Sequence, residues 1–187
     1  MARRIYNFEN PDRFTTGTIG EPGSRTFYLQ AREGSRISSV VLEKIQVALL
    51  AERFTQLLDE VKEQGLVGMP DAATAGIDRN PLDEPLNEVF RVGSMTIVWN
   101  AEDESVTLEV HALDEDADDE TDATSDDDND AYDDLDALRV RLTPLGVSAF
   151  VKRATEIVAS GRPPCPFCGQ PLNPEGHICA RRNGFMH

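Results

Sequence analysis

The sequence predicts an α+β fold: a mostly antiparallel sheet, two main helices and a short cysteine-bearing tail. Three observations predict it. Apolar residues alternate with polar ones in several short segments, whereas two longer segments carry them at helical spacing. The segments that lead into the two helices match one another at an offset of 100 residues. All three cysteines lie within the last 23 of 187 residues, so the tail is chemically distinct from what precedes it.

The elements follow in order. Gly20-Glu21-Pro22-Gly23 is a turn signal, and Gly17 to Gly23 reads as a hairpin turn. Arg25–Glu33 reads as a strand with Phe27, Leu29 and Ala31 on one face. Ile37–Leu42, rich in β-branched residues, reads as the next. From Ile45 to Gln64 the period becomes helical, with Ile45, Ala48, Leu49, Phe54, Leu57, Leu58 and Val61 mostly on one side. Gly65 can close that helix. Residues 66–88, with Pro70, Pro81 and Pro85, read as a loop. Val89–Trp99 and Ser105–Ala112 form a hairpin across Asn100–Glu104. In its second strand Val106, Leu108 and Val110 alternate with Thr107, Glu109 and His111, which sets His111 toward solvent or an opposite layer. Leu138–Leu142 alternates again. Thr143 then suits an N-cap and Pro144 a first helical position, with the helix running to about Ser160 and stopping at Gly161.

The internal echo carries the fold further. Val40, Leu42, Val47, Arg53 and Thr55 are identical to Val140, Leu142, Val147, Arg153 and Thr155, five matches over 16 positions. Phe14-x-x-Gly17 and Phe90-x-x-Gly93 extend it. Two strand-strand-helix units sharing one core account for this pattern, as does shared amphipathic patterning alone. Residues 1–161 are expected to form the α+β domain and 162–187 the tail.

Net charge is -16, but 14 acidic residues lie between Asp114 and Asp136 with no Lys or Arg among them. Without that run the formal charge is only -2, so the body is nearly balanced. The run reads as a disordered acidic insertion at 114–136. Asp126, Asp128 and Asp130 have the spacing of the first ligands of a calcium loop. However, Ala131 stands where its glycine belongs and Ala137 where its glutamate belongs. No run of about 18 apolar residues exists, so no transmembrane helix is expected. Basic residues at the start have no apolar segment behind them, so no secretory signal is read there. A cytoplasmic location follows from this and from the cysteine usage.

Cys165-Pro-Phe-Cys168 and His177-Ile-Cys179 give the spacing C-x2-C-x8-H-x-C. Three thiolates and one imidazole are the donor set of a tetrahedral zinc. Four protein ligands (Cys165, Cys168, His177 and Cys179) would fill the coordination sphere, making the zinc structural. Cys-Pro-x-Cys-Gly is a tight turn in which backbone amides can point at the thiolates. A thioredoxin-like pair would open a helix, which the surrounding prolines disfavour. Arg181 and Arg182 follow, with Asn183-Gly184 as a turn; they read as a solvated end or as a grip on phosphate or an acidic partner.

Catalytic patterns are sparse. No Gly-x-Ser-x-Gly and no phosphate-cradling loop ending in Lys-Ser or Lys-Thr occurs. A polar pocket drawn from Arg32, Glu33, Glu43, Lys44 or Arg91 is conceivable, but the sequence alone does not assemble it.

Arg4-Ile-Tyr-Asn-Phe8, Arg25-Thr-Phe-Tyr-Leu-Gln-Ala31 and the terminal Cys165-Pro-Phe-Cys168-Gly…Gly176-His177-Ile-Cys179…Asn183-Gly184 resemble the DUF3090 family of actinobacterial proteins. The resemblance covers nearly the whole chain. Where that family usually has Pro after the last cysteine, this chain has Ala180. The family typically lies beside genes for a phosphoglycerate-mutase-like phosphatase and a phosphatidylinositol-kinase-like protein. The resemblance thus implies a shared pathway and an enzyme as partner.

Three functional expectations follow. The first is a non-catalytic zinc-binding accessory or interaction protein working with an enzyme such as that phosphatase or kinase-like protein. The second is an enzyme or binder acting on a phosphorylated small molecule, which requires convergence among Arg25, Arg32, Arg91 and Arg139. The third is a nucleic-acid binder using Arg162, Arg181 and Arg182, against which the acidic run argues. No membrane partner is expected.

Overall fold

The computed structural model describes residues 3–65, 75–114, 134–161, 165–168 and 179. The strands are β1 (Ile5–Phe8), β2 (Arg13–Ile19), β3 (Thr26–Glu33), β4 (Arg36–Leu42), β5 (Glu88–Asn100), β6 (Ser105–Ala112) and β7 (Ala137–Leu142). Helix α1 (Lys44–Glu63) follows β4, and α2 (Pro144–Ala159) follows β7. The strands form one seven-stranded sheet in the order β1-β7-β6-β5-β4-β3-β2. Neighbours are antiparallel except β1 with β7 and β4 with β5. The architecture is therefore α+β, as the sequence predicts.

That order repeats. β2-β3-β4-α1 and β5-β6-β7-α2 are the same meander followed by a helix. β5 lies parallel beside β4, and β1 occupies the corresponding place beside β7. The echoed residues fall at matching sites. Leu29 opposes Val40 where Leu108 opposes Val140, and Phe27 opposes Leu42 where Val106 opposes Leu142. Val47 and Val147 are both fully buried in one shared core. Thr55 and Thr155 each donate a hydroxyl to the carbonyl four residues back, both at 2.8 Å.

The sheet must curl. A flat sheet would place its edge strands about 29 Å apart at the usual strand spacing. Yet β1 ends at Phe8 and β2 begins at Arg13, a gap that the chain spans over at most about 17 Å. A contact agrees: the Arg36 guanidinium of β4 lies 5.1 Å from the centre of the Phe8 ring of β1. The curled sheet encloses the core with both helices. Phe54 of α1 meets Phe150 of α2 edge to face at 5.6 Å, and Phe150 meets Phe14 of β2 at 4.8 Å.

The helix ends obey local chemistry. Thr143 accepts the Gly146 N–H at 3.1 Å, with Pro144 opening the helix. At the start of α1, the Gln46 side chain accepts the Glu43 N–H at 2.8 Å. Gly65, at φ +70°, ends α1 in the left-handed conformation that glycine tolerates.

Two expectations need correction. The buried stripe of α1 is Val47, Leu50, Ala51, Phe54 and Val61, whereas Ile45 and Leu49 are 63% and 48% exposed. Successive helical residues are about 100° apart, so Ile45 and Leu49 point about 180° and 140° away from Phe54, on the side opposite the buried stripe. The segment before Arg25 also holds more than a turn: β1 and β2 lie there, with the turn confined to the residues between Ile19 and Thr26. Their polar composition (Thr15, Thr16 and Thr18 in β2) hides them from a reading based on apolar alternation.

Residues 75–87 form a strap over the outer face of β2, β3 and β4. The buried Gln30 side chain donates to the Asp83 carbonyl at 3.0 Å and accepts the Asp83 N–H at 2.8 Å, while also donating to Ser39 at 3.0 Å. Leu82 covers Gly17 so closely that a Cβ there would lie 2.7 Å from its Cγ. Arg153 of α2 holds the strap's start, donating to the carbonyls of Thr16, Asp78 and Asn80. Arg13 adds ion pairs to Asp78 at 2.6 Å and to Asp83 at 3.1 Å. Burial alone would raise the Asp78 pKa, but these partners and the Asn80 amide hold it below the ordinary carboxylate value.

Candidate metal centre

The sulfur atoms of Cys165, Cys168 and Cys179 all lie within 4.8 Å of one another. Cys165 and Cys179 are buried, Cys168 is half-buried, and none is in a disulfide. Chain connectivity makes this cluster informative. Cys165 and Cys168 are neighbours across the turn formed by 166–168, but Cys179 comes from eleven residues further on. Three thiols so placed can bind a metal ion. In a tetrahedral zinc site, thiolates sit about 3.8 Å apart for Zn–S bonds near 2.3 Å. That spacing lies within the bound seen here.

The local backbone prepares Cys165 for that role. Burial pushes its thiol pKa up. The backbone N–H groups of Cys168 and Phe167 and the neighbouring thiols of Cys168 and Cys179 outweigh this and lower it. Amides pointing at a thiolate are what the Cys-Pro-Phe-Cys turn was expected to supply. His177, the fourth expected ligand, lies outside the described residues. So do Arg162, Arg181 and Arg182, the calcium-like aspartates and residues 115–133 of the acidic insertion.

The other candidates are dispersed. Arg25 and Arg91 share one cavity of about 410 Å³ with Glu43 and Lys44. Arg32 instead pairs with Asp83 at 3.2 Å and lines a different cavity with Arg13 and Arg141. Glu33 pairs with Arg36. Arg139 lies on the outer sheet face, donating to Glu109 at 2.7 Å. His111 is on that face too, 6% exposed, with Nε2 3.3 Å from Glu109. Burial lowers its pKa; the Glu109 carboxylate opposes that, and Arg3 and Arg139 reinforce it. The four arginines considered for a phosphorylated ligand therefore do not converge as a set; only Arg25 and Arg91 do.

One feature escaped the sequence reading. Phe167, inside the cysteine turn, is 53% exposed. Its position between two ligand-type residues was the available signal, since a side chain there is held out by the turn.

Fold and site together define an α+β protein with a cysteine cluster after its last helix. A family model described as "Protein of unknown function (DUF3090)" matches residues 6–179. The chain belongs to that family. No curated protein and no solved structure matched it. Among the described residues, no helix is long and apolar enough to cross a membrane.

Proposed function

We propose that this is a zinc-binding accessory protein that works in the cytoplasm by contacting an enzyme partner, with the cysteine tail as the contact. Cys165, Cys168, His177 and Cys179 hold the zinc. Four protein ligands leave no position for water or substrate, so the metal is structural. It contributes folding free energy to a tail too short for its own core, on the order of 10–16 kcal/mol of apparent binding. The observation that carries the reading is Phe167, half exposed on a turn whose flanking thiols are clustered. An aromatic fixed in an exposed position is the kind of anchor that dominates protein interfaces.

Native-host affinity purification tests this, with metal analysis of the same samples. Wild type is expected to carry one zinc and recover an enzyme, with a phosphatase or kinase-like protein first in view. Cys165→Ser should lose both metal and partner. Phe167→Ala should keep the metal and lose the partner. Retention of the enzyme by Phe167→Ala refutes the contact; unchanged zinc in Cys165→Ser refutes the ligand assignment.

A further inference from the structure

The cavity shared by Arg25, Lys44 and Arg91 is an electrostatic anomaly in an acidic chain. It lies where the turn before β3, the end of β4, the start of α1 and the end of α2 meet. Its lining is mainly polar, and three cationic side chains face one carboxylate, Glu43. Arg91 pairs with Glu43 at 3.0 Å, and both are well exposed. Arg25 donates to the Ser160 carbonyl at 3.0 Å, leaving a buried Nε with no acceptor among the described residues. Lys44 is the first residue of α1, at the positive end of the helix dipole, where a cation is disfavoured. Nearness to the end of α2 explains part of this arrangement, because Lys44 and Arg25 lie against Gly161 and Ser160. Glu43 accounts for Arg91, but the end of α2 offers only about half a negative charge, so most of the charge of Arg25 and Lys44 is left over.

We propose that this cavity binds the phosphoryl group of a small phosphomonoester. Charge selects the class. A phosphomonoester carries about -1.5 to -2 at neutral pH, matching the local excess, whereas a monocarboxylate would leave half of it uncompensated. Arginine forks suit phosphate oxygens, and Lys44 supplies a point charge. The volume, about 410 Å³, accommodates a phosphate with a small polar body. The site is independent of the metal reading, since none of its lining residues is a cysteine of the cluster.

The net charge of -16 makes the test decisive, because such a chain has no general affinity for anions. Inorganic phosphate and glycerol phosphate are titrated calorimetrically into the whole metal-loaded chain, with amide shifts followed by NMR. Saturable one-to-one binding is expected, with shifts at Gly23, Lys44 and Gly161. Lys44→Met and Arg91→Met, both at exposed positions, should each weaken it at least about tenfold by removing a charge-assisted contact. Arg139→Met, on the opposite sheet face, should bind as wild type does. Absence of saturation at millimolar phosphate overturns the site. So does wild-type affinity in a Lys44→Met/Arg91→Met double variant, or an equal loss in Arg139→Met. Acetate competing as well as phosphate overturns the ligand class.

Discussion

Gln30 and Glu109 occupy the same place in the two halves of the sheet, and they differ in every property that burial controls. Gln30 opposes Thr15 and Ser39; Glu109 opposes Thr96 and Arg139. On the inner face the adjoining pairs, Leu29 with Val40 and Leu108 with Val140, are aliphatic in both halves. On the outer face the first half is sealed by the 75–87 strap, so its central residue is neutral, 1% exposed and bonded to strap backbone. The second half has no such cover among the described residues, and its central residue is a carboxylate among Arg3, Arg139 and His111. One topology thus supports opposite chemistries. A buried polar position needs a neutral group with every hydrogen bond met, whereas a half-solvated one accepts charge. The same contrast separates Arg53, which among the described residues reaches Gln56 at 3.3 Å on its own helix, from Arg153, which ties α2, β2 and the strap.

The largest expected effect comes from breaking the sealed side. Gln30→Leu leaves the Asp83 N–H and carbonyl unpaired under the strap. It should cost about 2–4 kcal/mol in urea unfolding, from two orphaned groups. Glu109→Gln should cost only about 1 kcal/mol, because Arg3 and Arg139 reach solvent and an amide oxygen can still accept from them. Equal losses at the two sites would show that the strap does not control the difference.

The glycines sharpen the contrast next. A Cβ at Gly93 would lie 2.8 Å from the Ala112 carbonyl oxygen and 2.9 Å from Leu113 Cα, backbone atoms at the bulge where β5 passes from β4 to β6. Gly93→Ala should therefore cost about 1–3 kcal/mol. At Gly17 the nearest atoms to an added Cβ belong to the Leu82 side chain, which can turn aside, so the cost of Gly17→Ala in thermal melts should be smaller. A reversed order would mean the strap is stiffer than the sheet.

A smaller effect is expected from His111. Its folded pKa is depressed, so the unfolded chain binds the extra proton first. Stability should fall as pH drops below the ordinary histidine value of about 6.5 and level off once the folded group also protonates. In His111→Gln that segment of the stability profile should flatten, while the acid loss linked to Asp78, below the ordinary carboxylate range, persists. An unchanged profile would place the dependence elsewhere.

The smallest effect should follow replacement of residues 115–133 by a short Gly/Ser linker. β6 and β7 already pair across that insertion, with His111 opposite Ala137 and the Ala112 N–H bonded to the Asp136 carbonyl at 2.8 Å. Asp136 is kept because its carboxylate also accepts the Arg4 N–H at 2.8 Å. The melting temperature should change little, since loop length affects closure entropy only weakly. A large fall would show that the run is part of the fold.

Much of this was legible beforehand because it rests on local rules. Alternation located five of the seven strands, helical spacing located both helices, and Thr143-Pro144 and Gly65 marked helix ends to within a residue. The cysteine spacing named a cluster whose three thiols do come together. The 100-residue echo anticipated equivalent core positions because side-chain packing in the core requires specific shapes in both halves. β1 and β2 were not legible, since their identity as strands depends on partners and on the curl of the sheet. The pairing of Gln30 with Asp83, the meeting of Arg25 with Arg91 and Lys44, and the exposure of Phe167 were likewise decided only by tertiary structure. Periodicity and spacing are properties of neighbours in sequence. Which polar face is covered, and which charges meet, depends on segments 48 and 53 residues apart that only the folded chain brings together.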